Sequence, residues 1–400
     1  MRSSGKKSWI RTLVVTIILF SSTFSFAQTE SITKDSATNP LPETKQSPAA
    51  ANIFKKDDIR GVRFKDGSVV YGTIVQMNAN VVTILTKDDK LVRRKFDDVA
   101  AFIRADDEVK KEPKEVFSVA VGVERMTGNT TYQIGYPFTP AGGATQYGYF
   151  PFSKLEWPLD TWMGRLDVRF NMDDSWRLNG VLKKNFTNPS DNMKDSDWLT
   201  ASNPSRLDVY SESSISKLDA WIFDIDIEWV FLKQRYWSLY AGLGWQYQKF
   251  YFEGNLIHQY SPSGLPGYDF YGDGSVAITY EITYNMPYVK IGGDIHVKDK
   301  FVLDGSFAWS PIVKAKDEDH HLLIPKTGTG DMNGNAYMFD LSARYTFTTQ
   351  WFLKAGFQYT KISVDGDQNQ VFDFGVPIGN VKDEADSKQT SYYLMLGYAF

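Results

Sequence analysis

From about Val116 the chain alternates, with apolar side chains on one side and polar ones on the other. Trp221, Phe223, Ile225, Ile227 and Trp229 share one face of an extended segment, and Asp224, Asp226 and Glu228 share the other. Trp237, Leu239, Ala241, Leu243 and Trp245 repeat the pattern, as do Phe301, Leu303, Gly305, Phe307 and Trp309. A period of two is the period of a β-strand, whose successive side chains point to opposite faces. A soluble sandwich would turn the apolar set toward a core and the polar set toward water. Here the segments run long, aromatic residues gather near their ends, and the second face carries charge. That combination predicts an outer-membrane barrel, apolar outward and polar inward, closed so that no backbone group meets lipid unpaired.

Turns set the strand number. Tight polar breaks fall at Asp173-Asp174, Lys233-Gln234, Lys298-Asp299 and Thr348-Thr349. They join five hairpins, hence ten antiparallel strands. Longer polar stretches near 134–149, 188–216, 254–275, 315–334 and 364–388 alternate with them and read as loops on the outer side. A ten-stranded barrel is filled by its own side chains rather than holding a wide pore, so function is expected in those loops. The chain ends in an alternating Tyr392, Leu394, Leu396, Tyr398, Phe400. This ending resembles the terminal strand read by the bacterial barrel-assembly machinery, which is therefore an expected partner.

The front of the chain is different. Residues 1–27 open with Arg2, Lys6, Lys7 and Arg11, continue through the apolar run Leu13–Phe20 and close on Ser25-Phe26-Ala27, which reads as a secretory signal. Residues 28–54 are rich in Thr, Ser, Pro, Ala and Gln and read as a disordered linker. Residues 55–108 hold several short strand patterns around the turns Lys65-Asp66-Gly67 and Asp88-Asp89, as in a small SH3-like or Sm-like β module. Its basic residues Lys90, Arg93, Arg94 and Lys95 read as a solvated strand face. The expected architecture is thus all-β: a small periplasmic module at 55–108, then the barrel at 115–400 with its loops facing the cell exterior.

Composition narrows the chemistry. Lys and Arg total 44 against 48 Asp and Glu, and four of the basic residues lie in the acid-free first 27, so the rest is more acidic than the net −4 of the whole. That balance offers no general grip on nucleic acid. With no cysteine, thiol nucleophiles, disulfides and thiolate metal sites are excluded. The four histidines are His258, His296, His320 and His321, and two of them close the acidic run Lys316-Asp317-Glu318-Asp319-His320-His321. A second acidic patch is Asn192-Met193-Lys194-Asp195-Ser196-Asp197-Trp198. Acidic loops are usually only solvated surface. These two, however, fall in the second and fourth long stretches, four strands apart in a ring of ten, and so face each other across the mouth. In extended backbone Asp319 and His321 share a face, so the carboxylate can fix the imidazole tautomer and make the histidine a general base. Asp195 and Asp197 likewise share a face, and two close carboxylates can share a proton. A water between the pairs is placed to attack a peptide carbonyl. Asp and His are also metal ligands, but no His-x-x-x-His spacing supports zinc, and no metal or cofactor is expected.

These residues resemble the omptin family of outer-membrane endopeptidases. The family's Asn-Met-x-Asp-x-Asp-Trp stretch matches Asn192–Trp198, followed by Ser202-Asn203-Pro204, and its Asp-x-Asp-x-His stretch matches Asp317–His321. Met286-Pro287-Tyr288 and Lys154-Leu155-Glu156-Trp157 match two barrel landmarks, and the resemblance covers roughly 115–400. It implies a ten-stranded barrel with an aspartyl-type proteolytic site above the outer leaflet. Asp319 and His321 would be the water-activating couple, Asp195 and Asp197 the opposing carboxylates, and Asp317 the acid of a pocket for a basic residue beside the cut bond. The implied partners are peptides or proteins with basic residues and outer-membrane lipid. Two departures stand out. A second pocket acid expected a few residues past Gly128 falls at Tyr132. Of the family's lipopolysaccharide-binding cluster, Lys249 keeps a positive charge while Tyr247 replaces an acid. His320 is additional. The rival reading is a non-catalytic structural or adhesive barrel that kept the site residues by descent.

Overall fold

A computed structural model describes residues 59–104 and 115–400, apart from 298 and 299. The expected signal, linker and Lys298-Asp299 turn lie outside the described residues. The chain divides into two compact units, Met1–Lys110 and Lys111–Phe400.

In the first unit, β1 (Ile59–Phe64), β2 (Val69–Tyr71), β3 (Thr73–Met77), β4 (Val81–Leu85), β5 (Leu91–Lys95) and β6 (Val99–Arg104) form two three-stranded antiparallel sheets, β2-β1-β6 and β3-β4-β5. The β1–β2 hairpin turns where expected, because Gly67 takes φ +84°, open to a residue without Cβ. Val62, Phe64, Ile74, Val82 and Ile84 form one small core. Lys90, Arg93, Arg94 and Lys95 are exposed, as a solvated face requires.

The second unit is a closed antiparallel ring of ten strands. Its members are β7 (Phe117–Pro140); β8 (Ser153–Pro158) continued by β9 (Thr161–Asn171); β10 (Trp176–Asn185) continued by β11 (Met193–Asp197); β12 (Val209–Lys233); β13 (Trp237–Tyr260); β15 (Val276–Val297); β16 (Phe301–His321); β17 (Lys326–Thr346); β18 (Trp351–Phe372); and β19 (Pro377–Ala399). A two-residue β14 (Phe270–Tyr271) adds to the end of β13. Closure is made by β19 pairing along β7, from Gly379↔Pro140 to Ala399↔Ser118. The short turns follow the expected breaks at 172–175, 234–236 and 347–350.

Three of the long polar stretches hold long connections, at 141–152, 198–208 and 261–275, but 315–334 and 364–388 are mostly strand rather than loop. β16 runs unbroken through Asp317–His321, and β17 begins at Lys326, so residues 322–325 alone connect them. Likewise β18 and β19 are joined by residues 373–376. The alternation continues through these segments with polar residues on both faces, which hides strand character from a hydropathy reading. Strands well over 20 residues long exceed the 9–11 needed to cross a bilayer, so the ring continues as a wall beyond the membrane.

The expected parity holds. Trp221, Phe223, Ile225 and Ile227 are exposed outward, while Asp226 and Glu228 are buried inside. On β16 the outward set changes from Phe307, Trp309 and Ile312 to Lys314, Lys316, Glu318 and His320, which marks the upper edge of the apolar belt. At belt level the lumen is filled by ion pairs. Glu124 holds Lys183 at 2.9 Å and Arg165 at 3.0 Å, Lys290 bridges Asp226 and Glu228 at 2.8 Å each, and Arg177 meets Asp294 at 2.6 Å. What remains is a cavity of about 190 Å³, room for a handful of waters rather than an open channel. Above it Met126, Met163, Phe250, Tyr284 and Met286 close the barrel with an apolar plug, capped by Trp157 stacked on Tyr280 at 5.6 Å.

Removing one partner of a buried pair leaves an uncompensated charge, which costs about 3–5 kcal/mol. Glu124→Gln, which strands Lys183 and leaves Arg165 only Asp167 as an ionic partner, is expected to lower the urea unfolding midpoint of the detergent-folded barrel by that order. Lys217→Met, which breaks an exposed pair with Glu253, should leave the midpoint in place.

Candidate active site

The upper wall carries the acids. β11 is held on one side by β8, with Asp195↔Leu155 and Asp197↔Ser153, and on the other by β12, with Asp195↔Ser211 and Asp197↔Val209. This double pairing fixes Met193, Asp195 and Asp197 on the inner face. On β16 the same alternation puts Asp317, Asp319 and His321 inside and sends Glu318 and His320 outward. His320 there meets Asp373 at 2.8 Å and takes no part in the inner cluster.

The two predicted pairs come together across the barrel. His321 Nε2 lies 2.9 Å from Asp319 Oδ2. A carboxylate acceptor there places the proton on Nε2 and leaves the Nδ1 lone pair free. Burial pushes Asp319 up, but the adjacent imidazole and its hydrogen bond outweigh burial and hold the carboxyl below its ordinary range. Asp195 is driven the other way, well above that range, first by burial, then by its neighbour Asp197 and by Asp319 opposite. Asp197 is also raised by burial, against a Ser153 hydrogen bond and the His321 charge. A carboxyl of raised proton affinity thus faces a carboxylate–imidazole couple. One group can donate to a developing oxyanion while the other accepts a proton from water.

Several neighbours complete the cluster, and of these Lys326 and Asp383 were not foreseen from the sequence. Lys326 sits opposite His321 in the β16–β17 ladder, and its charge favours the ionised forms of Asp195, Asp197 and Asp319. Tyr132, fully buried, donates to Asp319 Oδ2 at 3.4 Å and accepts from Gln368 Nε2 at 2.7 Å. Asp383, on β19, shares the interior with Asp317; both carboxyls abut the inner face of Gly330, where an added Cβ would collide with Asp317 Oδ1 and Asp383 Oδ2. Asp383 was hidden in a stretch read as loop. The signal was present in Val381, Asp383, Ala385 and Ser387, which alternate with Lys382, Glu384, Asp386 and Lys388. Asp317 accepts from the Tyr280 hydroxyl at 3.2 Å. Lys249 lies apart, paired with Glu281 at 2.8 Å on the β13–β15 outer face. Among the described residues, no group of three or more His, Asp and Glu is arranged to hold a metal ion.

Comparison with known proteins points the same way. The sequence model of the Omptin family matches residues 145–400. Protease 7 of Escherichia coli O157:H7 is 28% identical over 187 residues, 45% of this chain and 56% of that protein. Protease 7 of Escherichia coli strain K12 is 29% identical over 134 residues, 32% of this chain and 42% of that protein. The chain thus spans about half the length of the curated relatives it matches. The crystal structure of the outer membrane protease OmpT from Escherichia coli superposes with a TM-score of 0.59 at 18% identity, covering 72% of this chain and 97% of that one.

Burial of unpaired acids has a stability signature. Burial, then Asp317, raises Asp383 from 3.8 to about 9. A folded-state value above the unfolded one means that its stability contribution is present below about pH 4 and is lost as pH rises toward 9. Asp383→Asn, which cannot ionise, is expected to be more stable than wild type at pH 9 by about 1–3 kcal/mol, with the gap closing toward pH 5. Urea midpoints at the two pH values check this; a variant less stable at both would contradict it.

Proposed function

Because this chain belongs to the omptin family, we propose that it is an outer-membrane endopeptidase hydrolysing peptide bonds beside basic residues. The observation that carries the proposal is the facing of the Asp319–His321 couple and the Asp195–Asp197 pair over one apolar floor. A water between them gives a proton to His321 Nδ1 as its oxygen attacks the peptide carbonyl. Asp319 stabilises the imidazolium that forms. The carbonyl oxygen, turning negative, accepts a hydrogen bond from the retained proton of Asp195, and the Lys326 ammonium adds a favourable charge. As the tetrahedral species collapses the C–N bond breaks, and the imidazolium proton passes to the leaving amine. No covalent intermediate is needed, so the chemistry is of aspartyl type.

In this reading residues 1–27 direct export, 28–54 tether the module at 55–108 in the periplasm, and the site faces the cell exterior. The terminal strand ending at Phe400 addresses the barrel-assembly machinery. Lipopolysaccharide contacts the outer wall only weakly, because the Lys249 charge is already engaged by Glu281.

His321→Ala is expected to lower the rate on a fluorogenic Arg-Arg peptide by roughly 10²–10⁴ without changing heat-modifiable mobility. Lys326→Met should reduce it at least tenfold, as loss of an oxyanion-stabilising group does, and EDTA should leave the rate unchanged once lipopolysaccharide is resupplied. Full activity in the His321 variant would refute the mechanism; a well-folded wild type inert toward all basic peptides would leave the non-catalytic barrel.

A further inference from the structure

The buried acids of the belt-level lumen and those of the upper cluster differ in one respect. Glu124, Asp226, Glu228 and Asp294 each carry a lysine or arginine within 3.0 Å. Among the described residues, no Lys or Arg forms an ion pair with Asp317 or Asp383. Asp317 is 5% exposed and Asp383 fully buried; apart from the Tyr280 hydroxyl and the backbone amides of Gly330 and Glu384, their carboxyls have chiefly each other as hydrogen-bond partner. Buried carboxyls are normally matched by opposite charge, and a pair that leans on its own shared hydrogen bond is short of a cation. Asp317 Oδ1 and Asp383 Oδ2, from two strands, converge on the inner face of Gly330, where no Cβ intervenes. A planar guanidinium, with five donors and a positive charge, fits such a set in a way that a neutral side chain does not.

Resting on the peptidase reading above, we propose that Asp383 is a specificity-determining residue that forms, with Asp317, the pocket for the substrate's basic side chain. Asp317 lies one inward position below Asp319 on β16, about 6–7 Å along the strand, so the pocket is reached by a long side chain from a peptide lying at Asp319 and His321. The groups facing Asp383 are Asp317 and Asp319 from β16, Tyr132 from β7, and Tyr280 and Tyr284 from β15. β17 and β18 present the uncharged Gly330 and Gln368. Burial, then Asp319, raises Asp317 to about 7 against a hydrogen bond from Asp383, and burial, then Asp317, raises Asp383 to about 9. The empty pair therefore holds a proton at neutral pH, which an entering guanidinium displaces to solvent. Preference for arginine over an uncharged isostere should then rise with pH.

The test compares two peptides that differ only in arginine or citrulline at the pocket position. In wild type the arginine-to-citrulline ratio of kcat/KM should increase at least threefold from pH 6 to 8.5. Asp383→Asn should lower that ratio at least tenfold at pH 8.5; an unchanged ratio in the folded variant overturns the proposal. Should Asp383→Asn fail the heat-modifiability check for folding, Asp383→Ser takes its place. Binding of Nα-acetyl-arginine amide to wild type, measured by calorimetry in phosphate and in Tris, should release a proton that its citrulline counterpart does not. Binding without proton release overturns the proposal. This arm needs no hydrolysis, so a barrel that binds the amide with proton release but cleaves nothing sinks the peptidase reading and keeps the pocket. One that cleaves with an Asp383-independent ratio does the reverse.

Discussion

Ring closure is the constraint on which the rest of this barrel depends. Once β19 pairs with β7, every strand has two neighbours and no backbone edge is left. The pleat then commits every second residue to the interior. Nothing in that commitment distinguishes a residue suited to burial from one that is not. Where the interior residues are Glu124, Arg165 and Lys183, burial is tolerable because opposite charges meet. Where they are Asp195, Asp317, Asp319 and Asp383, the same parity forces acids together above an apolar floor. Their raised or coupled ionisation follows from topology as much as from their own chemistry.

The plug links the two halves of this picture. Trp157, Tyr280 and Phe252 pack against one another with ring centroids 5.0–5.6 Å apart and separate the charge-balanced lumen from the acids above. Among the described residues, His321 and Lys326 are the basic side chains that act on Asp195, Asp197 and Asp319. Carboxyls with different partners are then driven apart in proton affinity: Asp319 lowered beside its imidazole, Asp195 raised. A division of labour between donor and acceptor arises without any change of residue type.

Much of this was legible in the chain. The period of two, strongest where Trp and Ile alternate with Asp and Glu on β12, gave the barrel and its parity, and the polar breaks gave the ring of ten. The Asp195–Asp197 and Asp319–His321 pairs were legible because each sits two residues apart in extended backbone. The mistaken loops have a physical origin. Past the bilayer both faces of a strand meet polar surroundings, so Lys382–Lys388 loses hydropathy contrast while keeping its hydrogen-bond ladder. Asp383 was lost for that reason. Lys326 was lost for another: its position opposite His321 is set by the register of the β16–β17 hairpin, which hydropathy does not encode.

That the cleft is walled by paired strands, with β16 and β17 joined by only residues 322–325, has a consequence for what can enter it. A wall tied by a ladder on both sides has little conformational freedom left to surrender, so under the proposed function the adaptation on binding would fall to the incoming chain. Compact domains, whose backbones cannot straighten, would be turned away at the rim, whereas unstructured tails and exposed linkers would thread in. Selectivity would then be exercised twice, first for pliancy and only afterwards for side-chain charge.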